Sequence, residues 1–201
     1  GGKIILVQIE NEYGYFGKDK SYLNFLANLM REKGISVPFV TSDGPWGFAL
    51  KNGSIKQALP TANFGSKALM QFGALKRKGH KNSPLMCMEF WAGWFDAWGN
   101  SSHKKSNLEQ NKKDLVYMLE NGNVNFYMFH GGTNFGFMNG SNYYGKLTPD
   151  TTSYDYDAVL SEDGQITPKY QEFQKIIKMY NPQNEVPLST KITRKNYGEI
   201  T

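Results

Sequence analysis

The sequence predicts an α/β fold in which a parallel sheet carries helices on its outer side. Three observations predict it. Five apolar runs rich in β-branched and aromatic residues recur along the chain, each with polar residues at or near its close. Apolar side chains at helical spacing separate most of the runs and follow the last one. The runs lack strict alternation, so they read as strands buried on both faces. A repeated β-loop-α order of this kind builds a parallel sheet with covering helices.

The first run, KIILVQIE, spans Lys3 to Glu10. Tyr22, Phe25, Leu26, Leu29 and Met30 then mark one helix face, with Gly34 as a C-terminal stop. Two strands follow, VPFVTSD from Val37 to Asp43 and ALPTANF from Ala58 to Phe64. Ser66 is the expected cap of a helix carrying Leu69, Phe72 and Leu75 that ends before Gly79. The fourth run, PLMCMEF, spans Pro84 to Phe90. Ser106-Asn107-Leu108-Glu109 has capping-box form and leads into Leu115, Met118 and Leu119, with Gly122 closing. After VNFYMFH (Val124 to His130), Thr167-Pro168 opens a last helix with Phe173 and Ile176 that Pro182 ends. No G-x-G-x-x-G follows the first strand, which disfavours a dinucleotide-binding sheet. A (β/α)8 barrel takes about 250 residues and eight strands, so five strands would make this a barrel without its first three. Residues 181–201 are polar, contain two prolines and read as a linker leaving the barrel.

Composition narrows the function. The 201 residues are 39% hydrophobic and 20% charged, which is globular, and no apolar run is long enough for a membrane span. The net charge of +5 is scattered rather than clustered on a known module, so it reads as solvated surface and not as a nucleic-acid face. Cys87 is the single cysteine, which excludes an intrachain disulfide and suits a small buried hydrophobe. His80, His103 and His130 are too dispersed for a zinc site. His80 and His103 sit in basic polar stretches and read as solvated; His130 is expected at the end of its strand, in the core or on a pocket floor.

Two strand ends carry the chemistry. In QIENEYG the apolar run breaks into Glu10, Asn11 and Glu12; in MEFWAGWFDAWG, Glu89 ends a strand and runs into Phe90, Trp91, Trp94, Phe95 and Trp98. Glycoside hydrolysis takes one carboxylic acid to protonate the leaving oxygen and one carboxylate to attack or to activate water. Barrels hold such residues at the C-terminal ends of their strands, and aromatic faces suit the C–H face of a sugar. A strand-end glutamate also serves as an ion-pair partner, so residue types and spacing alone leave both readings open. Alternation turns Glu10 away from Asn11, which makes it structural or a support behind the site. GGTNFG lacks the G-K-[ST] ending of a phosphate loop. Asn52, Asn100 and Asn139 each open an N-x-[ST] sequon, which permits an exported origin.

QIENEYG, MEFWAGWFDAWG, YMFHGGTNFGF and SYDYDAVLSEDG, in that order, resemble the family-35 glycoside hydrolases, the β-galactosidase family. The resemblance runs from Gly1 to about Tyr180. It implies a (β/α)8 barrel of which residues 1–180 are the C-terminal part, strands four to eight. It implies Glu12, following Asn11 on strand four, as acid/base, and Glu89, ending strand seven, as nucleophile. Counting the five runs as strands four to eight puts both glutamates where the family has them. The resemblance further implies that Asn11 bonds the sugar 2-hydroxyl, that Tyr127 stands beside the nucleophile, and that Tyr154 and Tyr156 close over the galactose. Trp91 departs from members with Tyr at that position, which keeps stacking and alters any hydroxyl contact. The implied reaction is retaining removal of terminal β-D-galactose from oligosaccharides or glycoconjugates, without cofactor or metal, by an exported parent protein with further β-rich domains. Another exo-β-glycosidase specificity, for β-glucosaminides or β-glucosides, or a non-catalytic carbohydrate-binding fragment, is the alternative.

Overall fold

The computed structural model describes residues 3–78, 82–182, Lys195 and Gly198. Its element order is β1 (Val7–Gln8), α1 (Tyr13–Phe16), α2 (Lys20–Glu32), β2 (Phe39–Asp43), α3 (Ala49–Gly53), β3 (Ala58–Phe64), α4 (Ala68–Lys78), β4 (Met86–Trp91), α5 (Leu108–Asn121), β5 (Asn123–Tyr127), β6 (Ser141–Tyr143), β7 (Leu147–Pro149) and α6 (Pro168–Tyr180). Strands β1 to β5 form one sheet in sequence order, every neighbouring pair parallel. This is part of a (β/α)8 barrel, as the resemblance implies. Among the described residues no helix is long and apolar enough to cross a membrane. His80 and most of 181–201 lie outside the described residues.

The core lies between the strands and the helices. Helix α2 buries Leu23 and Ala27 against Ile9, Phe39 and Ala58. Helices α4, α5 and α6 bring Phe72, Leu115, Met118, Phe173 and Ile176 onto Ala62, Phe64, Cys87 and Phe90. Burial of each such side chain stabilises by about 1.5–3 kcal/mol. Cys87 is the buried small hydrophobe its run suggests. Asn107 caps α5 by accepting from the Gln110 N–H, and Thr167 caps α6 by accepting from the Tyr170 N–H, with Pro168 opening that helix.

Several expectations change. The first strand is two residues long, not Lys3 to Glu10, and Ile4 and Ile5 are exposed. Its partner β2 is preceded by Pro38, which has no N–H to continue the ladder; the Pro38 carbonyl takes the last bond, from the Val7 N–H at 3.1 Å. The buried face of α2 is rotated by one residue, onto Leu23 and Ala27, and leaves Phe25 exposed. Helix α4 is capped across the fold, because the Lys67 and Ala68 N–H groups donate to the Asp114 carboxylate at 3.1 and 2.8 Å in place of Ser66. The last sheet strand stops at Tyr127, and His130 is exposed with Nε2 against the Glu162 carbonyl at 3.0 Å. The antiparallel β6–β7 hairpin is an element the periodicity did not predict.

Candidate active site

Glu12 reaches the concave side of the sheet through a strained turn. Beyond β1, Glu10 and Glu12 both adopt left-handed backbone, with φ of 59° and 52°. Such a conformation costs about 1–3 kcal/mol per residue and persists only where neighbours impose it. Here the Glu12 N–H donates to the Ser42 carbonyl and the Gly14 N–H to the Asp43 carboxylate, both at 2.8 Å. Asn63 on β3 donates from Nδ2 to Glu12 Oε1 at 3.1 Å and is itself oriented by the Ser42 hydroxyl at 2.6 Å. Asn11 is exposed, with its Oδ1 accepting from Gln8 Nε2 at 2.9 Å. Glu10 points elsewhere, to the Tyr22 hydroxyl.

Asp43 is buried beneath this turn. Burial pushes its carboxyl up to about 6; the Gly14 N–H opposes the rise, the Glu12 carboxylate adds to it, and the Lys20 ammonium opposes it. Tyr15 is pushed up to about 12, by burial first and then by Glu12 and Asp43.

Glu89 owes its direction to an irregular strand. Ala62 pairs with Cys87 while Asn63 pairs with Glu89, and Cys87 pairs with Val124 while Phe90 pairs with Phe126. Strand β4 therefore carries one extra residue at Met88–Glu89 relative to both neighbours, a β-bulge. The Met88 carbonyl accepts from Asn125 Nδ2 at 3.0 Å. Across the bulge Cys87 and Phe90 both face the helices, and Glu89 and Trp91 share the cavity face. The Trp91 indole N–H donates to Glu89 Oε2 at 3.0 Å. Burial raises the Glu89 carboxyl above the usual carboxylate range; the Trp91 N–H lowers it and the Glu12 charge raises it.

The seven residues predicted from sequence, Asn11, Glu12, Glu89, Trp91, Tyr127, Tyr154 and Tyr156, line one open cavity of about 360 Å³ together with Trp94 and Phe95. That size is within the range of small-molecule sites. Aromatic rings make its wall: Trp94 stacks on Phe95 at 4.9 Å, and Phe95 on Tyr154 at 5.9 Å and 11°. Tyr127 meets Tyr156 edge-on at 5.8 Å, and a hydrogen bond to Tyr127 adds to the burial that raises Tyr154. Tyr156 is 1% exposed and backs the wall. A second cavity, between β5 and α6, is lined by Phe126, Phe129, Tyr170 and Phe173 and holds no carboxylate.

The tyrosine-bearing segment is laid directly on the sheet-end loops. A Cβ on Gly93 would sit 1.7 Å from the Tyr156 carbonyl oxygen, and one on Gly131 would sit 1.6 Å from that of Tyr154. Only glycine permits either approach. Tyr156 and Asp157 take left-handed backbone, with φ of 65° and 49°. Lys169, 6% exposed, fastens them from α6: its Nζ donates to the Ala92 carbonyl at 2.6 Å, the Ser106 hydroxyl at 3.0 Å and the Asp157 carboxylate at 2.8 Å. His103 is not simply solvated. Its ring bridges Asp96 and Asp155, with Nε2 3.1 Å from Asp155 Oδ1.

Sequence reasoning missed Asn63, Asp43, Lys169 and His103 as supports of the cavity. Asn63 and Asp43 carried a signal, since each is a polar residue at the C-terminal end of an apolar run, as Glu89 is.

Comparison with known proteins identifies the family. The model of the family described as glycosyl hydrolases family 35 matches residues 1–180. Beta-galactosidase-1-like protein 3 of Mus musculus is 40% identical over 201 residues, which is 100% of this chain and 30% of the relative. Its Homo sapiens counterpart is 43% identical over 177 residues, 88% of this chain and 27% of the relative. The Homo sapiens protein named beta-galactosidase is 40% identical over 205 residues, 100% of this chain and 30% of the relative. The chain thus spans about three tenths of the length of these relatives. Fold, motif order and these matches agree: the chain belongs to family 35 of the glycosyl hydrolases.

Proposed function

We propose that this chain supplies the catalytic pair and part of the sugar pocket of a retaining exo-β-galactosidase. One observation carries the reading: Glu12 and Glu89, each at or just beyond the C-terminal end of a parallel strand, open into one cavity walled by aromatic rings. Family membership and relatives named beta-galactosidase support galactose as the sugar.

In the first step the Glu89 carboxylate attacks the anomeric carbon. The bond to the aglycone oxygen breaks, and that oxygen takes the proton of Glu12. In the second step Glu12 removes a proton from water, the resulting hydroxyl displaces Glu89, and galactose leaves with its β configuration retained. Asn11 stands beside Glu12, suited to a sugar hydroxyl, and Trp91 orients the attacking carboxylate through its indole N–H. The raised carboxyl of Glu89 alone would suit a proton donor. Two things favour the nucleophile role instead: the motif in which Glu89 stands, and an N–H donor that stabilises the ionised form.

The test is trapping in the full chain with a 2-deoxy-2-fluoro-β-galactoside bearing a good leaving group. Mass spectrometry of the digest is expected to find the sugar on Glu89. A label on any other residue, or turnover without a label, overturns the assignment. Aryl β-galactosides are expected to exceed the matching glucosides in kcat/KM.

A further inference from the structure

We propose that His103, as an imidazolium, is a positioning residue that clamps the Tyr154–Tyr156 wall of the cavity to the Trp94–Phe95 wall. The inference rests on the galactosidase reading for its substrate. Its geometry stands independently.

The two walls belong to different segments. Trp94 and Phe95 follow β4, whereas Tyr154 and Tyr156 precede α6 by more than ten residues. On the cavity side the walls are joined by ring contacts, Phe95 stacked on Tyr154 and Trp94 tilted against Tyr156, each pair at 5.9 Å. Behind each wall stands a carboxylate, Asp96 beside Phe95 and Asp155 between the two tyrosines. His103 spans them, with Nδ1 against Asp96 and Nε2 3.1 Å from Asp155 Oδ1. A neutral imidazole has one N–H and would turn its lone pair toward one of the carboxylates; only the imidazolium donates to both.

The surroundings favour that form. The hydrogen bond to Asp96 is the largest influence raising His103 above its ordinary range; burial opposes it, and the charges of Asp96 and Asp155 add to it. Lys104 is the adjacent cation, and its backbone N–H donates to Asp96 at 2.9 Å while its Nζ sits 5.8 Å above the Phe95 ring. Asp155 is held on its other sides by the backbone N–H groups of Asp157 at 3.1 Å and Glu162 at 3.0 Å.

Because the folded state raises the affinity of His103 for its proton, the clamp is complete below the ordinary histidine range. It is lost as pH rises through the raised value. Lys169 holds Asp157 through contacts separate from His103, so the wall loosens without detaching. The expected consequence is weaker sugar binding, a rise in KM of about fivefold, with kcat little changed.

The experiment is a histidine NMR titration of the full chain, with His103 identified by its loss in His103→Gln, alongside KM for an aryl galactoside against pH. Expected are a titration above the ordinary range that falls back in Asp155→Asn, and a KM that rises through the same pH. His103→Gln has the raised KM already at acid pH. His103→Arg, which keeps the charge and can donate to both carboxylates, restores the low KM and removes the alkaline rise. An ordinary titration in the unmodified chain, or an unchanged KM profile in His103→Gln, overturns the clamp. Failure of the unmodified chain to turn over any aryl galactoside would overturn the galactosidase reading, and the titration would still decide the clamp.

Discussion

Glu12 and Glu89 open into one cavity by opposite means. Glu89 stands inside a sheet, on a strand paired on both sides, and one extra residue sets its direction. Glu12 stands beyond a two-residue edge strand, in left-handed backbone, and its direction comes from contacts with Ser42, Asn63 and Asp43. A ladder aims a side chain through backbone geometry, whereas a turn does so through individual hydrogen bonds that substitutions remove singly. The two glutamates should therefore fail differently when their supports are changed.

The largest effect separates their chemistry. On the proposed mechanism, Glu89→Gln is expected to lower kcat by about 10⁴-fold or more, whatever the leaving group, since no other carboxylate replaces the proposed attacker. Glu12→Gln is expected to lower kcat/KM by about 10²- to 10⁴-fold for a poor leaving group and far less for an activated aryl galactoside that departs without a proton. Steady-state kinetics across a series of leaving groups measures both. Equal losses across the series in Glu12→Gln would reverse the roles.

The bulge gives the next largest effect. Deleting Met88 leaves Cys87, Glu89, Phe90 and Trp91 in regular alternation against Ala62, Asn63 and Phe64, so every face is preserved. The fold should survive while Glu89 loses its aim, and activity should fall by about 100-fold, the scale of a misplacement near 1 Å. Urea unfolding that stays cooperative beside lost turnover is the expected pair of results. An unfolded protein would show that the shortened strand cannot keep its pairing, so that the extra residue serves the fold and not only the aim of Glu89.

That bulge marks where the sequence stops being legible. The apolar runs and helix patterns announce β2 to β4 and α2, α4, α5 and α6, because periodicity and caps are local properties. PLMCMEF contains nothing that says which residue is supernumerary; the register of two neighbouring strands decides it. The β6–β7 hairpin escaped because its strands are short and mostly exposed, so burial imposed no apolar alternation. Both glutamates were legible as polar ends of apolar runs. Lys169 was not, since its Ala92 partner lies 77 residues away and a buried lysine looks like any other in a helix.

On the Glu12 side, Asp43 is expected to reveal itself in stability. Its folded carboxyl, raised to about 6 from 3.8, holds its proton more tightly than the unfolded one. Its ionisation therefore destabilises the fold as pH climbs from about 4 through about 6. Asp43→Asn keeps an acceptor for the Gly14 N–H and removes that charge. Stability at neutral pH should rise by up to about 3 kcal/mol, and the decline between those pH values should flatten. Denaturant midpoints across the interval test it; a decline as steep in the variant as in the unmodified chain would show that the Asp43 charge is not what costs stability.

The smallest pair of changes removes one donor from each glutamate. Trp91→Phe keeps the ring and deletes the indole N–H that lowers the Glu89 carboxyl. Loss of a hydrogen bond to a charged group costs about 1.5–3 kcal/mol, so kcat/KM should fall at least about tenfold. Its acid limb should also move to higher pH, because more of Glu89 is protonated at a given pH. Asn63→Leu deletes the donor on Glu12 and also leaves the Ser42 hydroxyl unpaired. Its loss should be of similar size for poor leaving groups and nearly absent for activated ones, because only the proton donor has been loosened. Measuring both variants on one poor and one activated galactoside distinguishes the two supports. Parallel losses on both substrates in Asn63→Leu would mean that this turn positions the sugar rather than the acid, and Glu12 would then depend on its backbone bond to Ser42 for its aim.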